Sequence, residues 1–248
     1  MSHALARARG LVLPAILTAL GLVVLIGLGV WQLERLAWKN DLIARVEART
    51  HAPAVPIPAE SEWNSVNAER DEYRRVTASG VFHHDREVQV YTVVSEEPGR
   101  HAGPGYWVLT PLELPSGAFV IVNRGFVPLD RKEPASRAQS QIPGQVTITG
   151  LLRTPEEATL FSPDNEPDRN AWYRRDPGEI ARALGLSRVA PFTIDADEAP
   201  NPGGLPEGGR TRVRFPNNHL QYVVTWFGLA LALAGVFAAF AWQRIRQA

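Results

Sequence analysis

Two uncharged apolar stretches constrain this chain more than any other feature. Leu11–Val30 reads LVLPAILTALGLVVLIGLGV, 20 residues, and Tyr222–Trp242 reads YVVTWFGLALALAGVFAAFAW, 21 residues. A hydrocarbon core about 30 Å thick takes roughly 20 helical residues to cross, so each stretch is long enough to span. A cleaved signal peptide has an apolar region of roughly 7–15 residues before a small-x-small site. Here the run is longer and WQLERLAWKN follows it without such a site, which predicts an uncleaved anchor with Pro14 tolerated near its start. The rival for the second stretch is a buried core helix. Its length, its Gly/Ala richness and its aromatic residues Tyr222, Trp226 and Trp242 fit a membrane helix better.

Charge divides the chain in the same way. All 26 acidic side chains lie between Glu34 and Glu207, while the tails beyond the apolar stretches carry only Arg7, Arg9, Arg244 and Arg246 as charged groups. The basic tails predict cytoplasmic termini and a domain outside, since large domains translocate largely regardless of their own charge. A formal net charge of zero gives no electrostatic case for nucleic acid as a partner. There is no cysteine, which excludes disulfides, thiolate zinc sites and cysteine nucleophiles.

The expected layout is a basic tail (1–10), a first span (11–31), a helical extension (32–50), a β-rich domain (51–216), a second span (217–242) and a basic tail (243–248). In the extension, Leu36, Leu42, Ile43 and Val46 fall at helical spacing, and Asp41 with Arg45 makes an i,i+4 pair. The helix must end by HAPAVPIP, where three prolines forbid a helix interior. RRVTASGVF, EVQVYTVV, GYWVLTPLEL, AFVIVNRGFV and QVTITGLL read as strands, being short, β-branched or aromatic, and bounded by breakers. DPGEIARALGL reads as a helix with Asp176 as N-cap and Pro177 at its first position. The predicted fold class is therefore membrane α+β. Two transmembrane helices, packed as a hairpin, enclose one antiparallel β-rich extracytoplasmic domain with one or two short helices.

Common catalytic signatures are missing: there is no G-x-S-x-G, Walker loop, G-x-G-x-x-G or H-E-x-x-H. His83-His84-Asp85 is the most metal-like cluster, but adjacent residues on a strand point to opposite faces and chelate one ion poorly. His101 reads as a loop residue, and His51 falls in the proline-rich segment. Arg124, in VNRGFVP, follows an apolar run, and Gly125 beside it permits an unusual backbone angle. Together they read either as a partner or anion contact or as a strand end with an ordinary ion pair.

His219 stands apart because of its place. In FPNNHLQYVVTWF, Asn217 or Asn218 can cap the second helix, which puts His219 in the first turn at the outer interface. The positive end of the helix dipole disfavours an imidazolium, and neutral imidazole is the form that binds haem iron. Tyr222 and Trp226 follow at i+3 and i+7, and Arg210, Arg212 and Arg214 alternate upstream as cations able to meet haem propionates. The competing reading is an ordinary aromatic anchor belt with basic residues on membrane lipids.

These segments resemble the Surfeit locus protein one family, membrane-bound assembly factors of cytochrome c oxidase. The resemblance runs through GVWQLERLAWKNDLI, RRVTASGVF, GPGYWVLTPL, VNRGFVP, GLLR, NAWYRRD and NNHLQYVVTWFGLA in order. Phe126 stands where many relatives would have Trp. The resemblance implies a non-enzymatic role in delivering or inserting haem a into the large subunit of a haem-copper oxidase, with haem a synthase as a further partner. It implies a two-pass protein of the bacterial inner membrane with a periplasmic domain. His219 occupies the place of a histidine implicated in haem binding, which makes it an axial ligand. A haem-free scaffold that docks on oxidase subunits is the alternative.

Overall fold

The structure, a computed structural model, describes residues 2–156, 159, 163–199, 201–211 and 217–246, with side chains from residue 11 onward. The chain divides into two compact units: Met1–Arg45 with Arg214–Ala248, and Val46–Val213.

The first unit is built from two helices, α1 (Ser2–His51) and α4 (His219–Arg246). Both are long and apolar enough to cross a membrane, with mean hydropathies of 2.7 and 2.2. Their apolar side chains are not covered by protein: Val23 is 71% exposed, Leu231 75% and Val236 69%. A soluble core helix would hide such residues, so burial inside the fold does not account for these stretches. The shielded positions of α1 recur in steps of four and three, through Thr18, Leu22, Leu25, Gly29, Gln32 and Leu36. On α4 Val223 and Ala230 are buried seven residues apart. That spacing is the seam of helices packed side by side. Gly29 and Gly21 both sit tight against α4, since a Cβ there would lie 2.8 Å from the Phe227 ring and 2.9 Å from Leu233.

The second unit is a seven-stranded sheet in the order β1-β2-β6-β7-β5-β4-β3. Its strands are β1 (Val55–Pro56), β2 (Arg75–Phe82), β3 (Val88–Val94), β4 (Gly103–Glu113), β5 (Phe119–Pro128), β6 (Gln145–Arg153) and β7 (Val189–Ala196). A further pairing of β2 with β4, Val81 opposite Glu113 and Phe82 opposite Leu112, closes β2-β6-β7-β5-β4 into a ring. Inside lie Val76, Phe82, Leu112, Val120, Val122, Leu152, Phe192 and Ile194, with Trp63 packed edge-on against Phe192. Ile121 points the other way and packs with Val90, Leu109, Trp172 and Ile180, the last from helix α3 (Pro177–Leu184). Covered on both faces, β5 is buried from Val120 to Val127.

The expectation of a purely antiparallel sheet is wrong: β1 runs parallel to β2, and β5 parallel to β7. Alternation of apolar and polar residues reports which face of a strand is buried and carries nothing about its neighbour's direction. Between β5 and β7 the chain makes β6 and α3, then returns β7 between its two predecessors. The sequence reading also missed β7, because Pro191 breaks its pattern. In the fold Pro191 falls within the register irregularity of the β5–β7 pairing, between Val189 and Thr193, where no regular ladder bond is asked of it. The expected helix in DPGEIARALGL is α3, with the Asp176 carboxylate accepting from the Glu179 N–H and Gly185 closing it at a φ of 62°. A second short helix, α2 (Ala68–Asp71), is capped by Asn67.

Candidate functional site

The end of the helix pair nearest His219 is polar on the seam side. Tyr222 N–H donates to the Asn218 carbonyl at 3.3 Å, so α4 opens at Asn218 and His219 is its first residue. Asn217, one residue earlier, donates its amide to Asn40 Oδ1 of α1 at 2.8 Å. His219 Nδ1 lies 2.7 Å from Gln32 Oε1, and Gln32 is only 8% exposed. An amide oxygen only accepts, so Nδ1 is the donor in this bond and Nε2 is the ring nitrogen left outside it. Sequence reasoning did not single out Gln32. Its signal was a lone amide in register with the shielded stripe of α1, a position where a buried polar group needs a partner.

Tyr222 is half exposed beside His219, and the indole N–H of Trp226 is buried without an acceptor among the described residues. Among the described residues no three His, Cys, Asp or Glu side chains come together as a metal site. A bare ion is therefore poorly served at this end of the pair. A haem would need one imidazole nitrogen from the protein here, and the Nε2 of His219, outside the bond to Gln32, is the atom that would hold it. The residues fit such a group.

The remaining predicted residues fall elsewhere. Arg212 and Arg214 lie outside the described residues. Arg210 belongs to the β-rich unit, where its side chain is 2% exposed and bonds Glu97 at 3.2 Å, Glu207 at 3.6 Å and the His101 carbonyl. Arg124 is 3% exposed and Gly125 is buried, so neither offers a partner protein any surface. Gly125 is needed for a different reason: its φ is 129° and an added Cβ would overlap the Glu207 carbonyl, which accepts from Phe126 N–H at 3.0 Å. His83 and His84 follow the end of β2 rather than lying on a strand, His84 opening a 3-10 turn; His83 pairs with Glu113 at 2.6 Å while His84 turns to the Ile142 carbonyl at 3.1 Å, so the two diverge. His101 Nδ1 bonds Glu207 at 2.6 Å, and His51 Nδ1 bonds the Glu47 carbonyl at 2.9 Å.

The electrostatic centre of the β-rich unit is Asp195 on β7, which sequence reasoning missed along with its strand. Its carboxylate accepts from Thr211 Oγ1 at 2.7 Å, Asn123 Nδ2 at 2.9 Å, Arg153 at 2.9 Å and Arg175 at 3.0 Å. Burial by itself would raise this carboxyl; Arg175 and Arg153, with Thr211 and Asn123, outweigh it and hold the group below the usual carboxylate range. Glu72 and Glu156 hold the far sides of the two guanidiniums. Each charge here has a protein partner, which marks the network as a structural clamp joining β5, β6, β7 and the segment after it.

Residues 19–231 match the model of the SURF1 family. The chain is 39% identical to Surfeit locus protein 1 of Homo sapiens over 83% of this chain and 70% of that protein. It is 38% identical to Surfeit locus protein 1 of Rattus norvegicus over 83% and 68%, and 39% identical to a SURF1-like protein of Monosiga brevicollis over 86% and 82%.

Proposed function

The chain belongs to the SURF1 family, known as cytochrome oxidase assembly factors, and we propose that its part in that work is to hold haem a briefly for delivery to the large subunit of a haem-copper oxidase. The observation that carries this reading is the His219–Gln32 pair. A side chain on one helix fixes the tautomer of a histidine on the other and leaves its Nε2 free to bind iron. Tyr222 and Trp226, on the same side of α4, supply aromatic surface for a porphyrin and an indole donor without a partner among the described residues. Since Arg210 is already engaged by Glu97 and Glu207, the pairing with propionates falls to Arg212 and Arg214. One imidazole bond suits a carrier, which must release what it holds.

In this proposal α1 and α4 span the bacterial inner membrane, both termini are cytoplasmic and the β-rich unit is periplasmic. Oxidase subunits, membrane lipids and haem a synthase are the partners, and the role is not enzymatic. The test is an optical spectrum of the detergent-purified chain co-expressed with haem a biosynthetic enzymes, beside His219→Ala. A Soret band in the wild type that weakens or shifts in the variant supports the reading. Equal binding in both removes His219 from the site, and a colourless wild type favours a haem-free scaffold docked on oxidase subunits.

A further inference from the structure

Among the described residues no carboxylate pairs with Arg124. Its partners among the described residues are neutral: His84 Nδ1 at 3.3 Å, the Ser140 carbonyl, Asn201 Oδ1 at 3.4 Å and the face of the Phe82 ring at 5.1 Å. His84 donates its Nε2–H to the Ile142 carbonyl, which leaves Nδ1 as a bare acceptor for the guanidinium. Burial, with Arg124 and Arg137 nearby, lowers the His84 imidazole below its ordinary range, so it is uncharged at neutral pH. The carboxylate that Arg124 feels most is Glu87, and Glu87 is bound through both oxygens by Arg137, each side chain 2% exposed. Burial pushes Arg124 down to about 10, which still leaves it protonated at pH 7. The interior cluster of Arg124, Arg137, Glu87 and His84 thus holds one positive charge in excess. Buried charges in folded proteins are paired, because an unpaired one costs several kcal/mol of lost hydration.

The side chain also faces an opening. β7 pairs with β6 only over Gly150–Arg153, and the last bond between the two segments runs from Asp197 N–H to the Thr149 carbonyl at 2.9 Å. Past that point the chain leaves β6. A cavity of about 390 Å³ remains, walled by Phe82, Ile142, Val146, Ile148 and Ala196 with Arg124 among them. Asp197 borders it too, but is committed to Arg75 at 2.7 Å. Among the described residues the Nε–H of Arg124 has no acceptor. A largely apolar pocket of a few hundred Å³, with Thr147, Thr149 and Asn201 as the other polar groups beside Arg124 and Asp197, has the form of a small-molecule site.

We propose that this cavity binds a small monocarboxylate with an apolar tail, the carboxylate on Arg124 and the tail against Val146 and Ile148. One negative charge balances the single excess positive charge. A phosphate dianion would overshoot it. The inference is independent of any haem site on the helices.

The probe is octanoate, titrated calorimetrically into the full chain in lipid nanodiscs with empty nanodiscs subtracted, and octanol and inorganic phosphate are run beside it. Octanoate is expected to bind saturably at one site, and both controls at least about tenfold more weakly. Arg124→Met should weaken octanoate about tenfold or more, and Ile148→Trp, which fills the cavity from the β6 side, should abolish binding. Near-UV circular dichroism establishes that each variant is folded. If Arg124→Met does not fold, Ile148→Trp decides the matter. Absence of saturable binding, octanol or phosphate binding as tight as octanoate, or wild-type affinity in Ile148→Trp would each overturn the assignment.

Discussion

Replacing Asp195 by Asn should damage this protein far more than its size suggests. The change keeps the shape and removes one charge, and the carboxylate it removes is 2% exposed and shared by Arg153 and Arg175, themselves 15% and 11% exposed. Glu72 and Glu156 still hold one side of each guanidinium, but the sides turned inward lose their counter-charge. The new amide must also present N–H groups to a site that already receives four donors from Thr211, Asn123, Arg153 and Arg175. Breaking a buried pair from one side costs about 3–5 kcal/mol. For a domain of this size roughly 2–4 °C accompanies each kcal/mol, so the melting temperature should fall by about 6–20 °C. The assay is thermal unfolding of the full chain in lipid nanodiscs at pH 7, read by near-UV circular dichroism. Asp197→Asn is the control, because its pair with Arg75 is 32% and 38% exposed and such pairs contribute about 0–1 kcal/mol. If the two variants melt together, the claim that Asp195 clamps the strands fails.

Three other outcomes follow from the same geometry. Gly125→Ala should destabilise the β-rich unit by about 2 kcal/mol or more, since φ of 129° suits only glycine and the new methyl meets the Glu207 carbonyl; an unchanged unfolding midpoint would refute this. Gln32→Leu should keep the helix pair yet lower haem a affinity about 10- to 100-fold by freeing the His219 tautomer, measured by haem titration; undiminished affinity would mean that Gln32 does not orient the imidazole. The pH dependence has a definite sign. The folded-state value for His84 lies below its ordinary value near 6.5, so the stability it contributes is complete above that value. It is lost as pH falls from about 6.5 through the lowered folded value, and His84→Gln should flatten stability over that window relative to wild type.

Much of the local architecture was legible because it depends on short-range chemistry. Twenty apolar residues in a row read as a membrane helix whatever surrounds them, and Asp176-Pro177 opens a helix through its own side chain and fixed φ. His219 could be placed in the first turn of α4 from NNHLQY alone, because capping is local. Strand β7 was hidden by Pro191, and with it went Asp195, whose meaning depends on four donors distant in sequence. The direction of pairing was equally out of reach, since period-two alternation is the same for parallel and antiparallel neighbours.

The sequence by itself therefore determined the two apolar helices, the β-rich segment between them and the place of His219, all consequences of hydropathy, periodicity and capping within a few residues. Tertiary structure alone decided that Gln32 meets His219 across 187 positions, that β7 returns between β5 and β6, and that Arg124 is buried beside a cavity without a paired carboxylate among the described residues. Those facts depend on which distant groups share a dry interior, where each polar atom must find a partner among whatever the topology brings near.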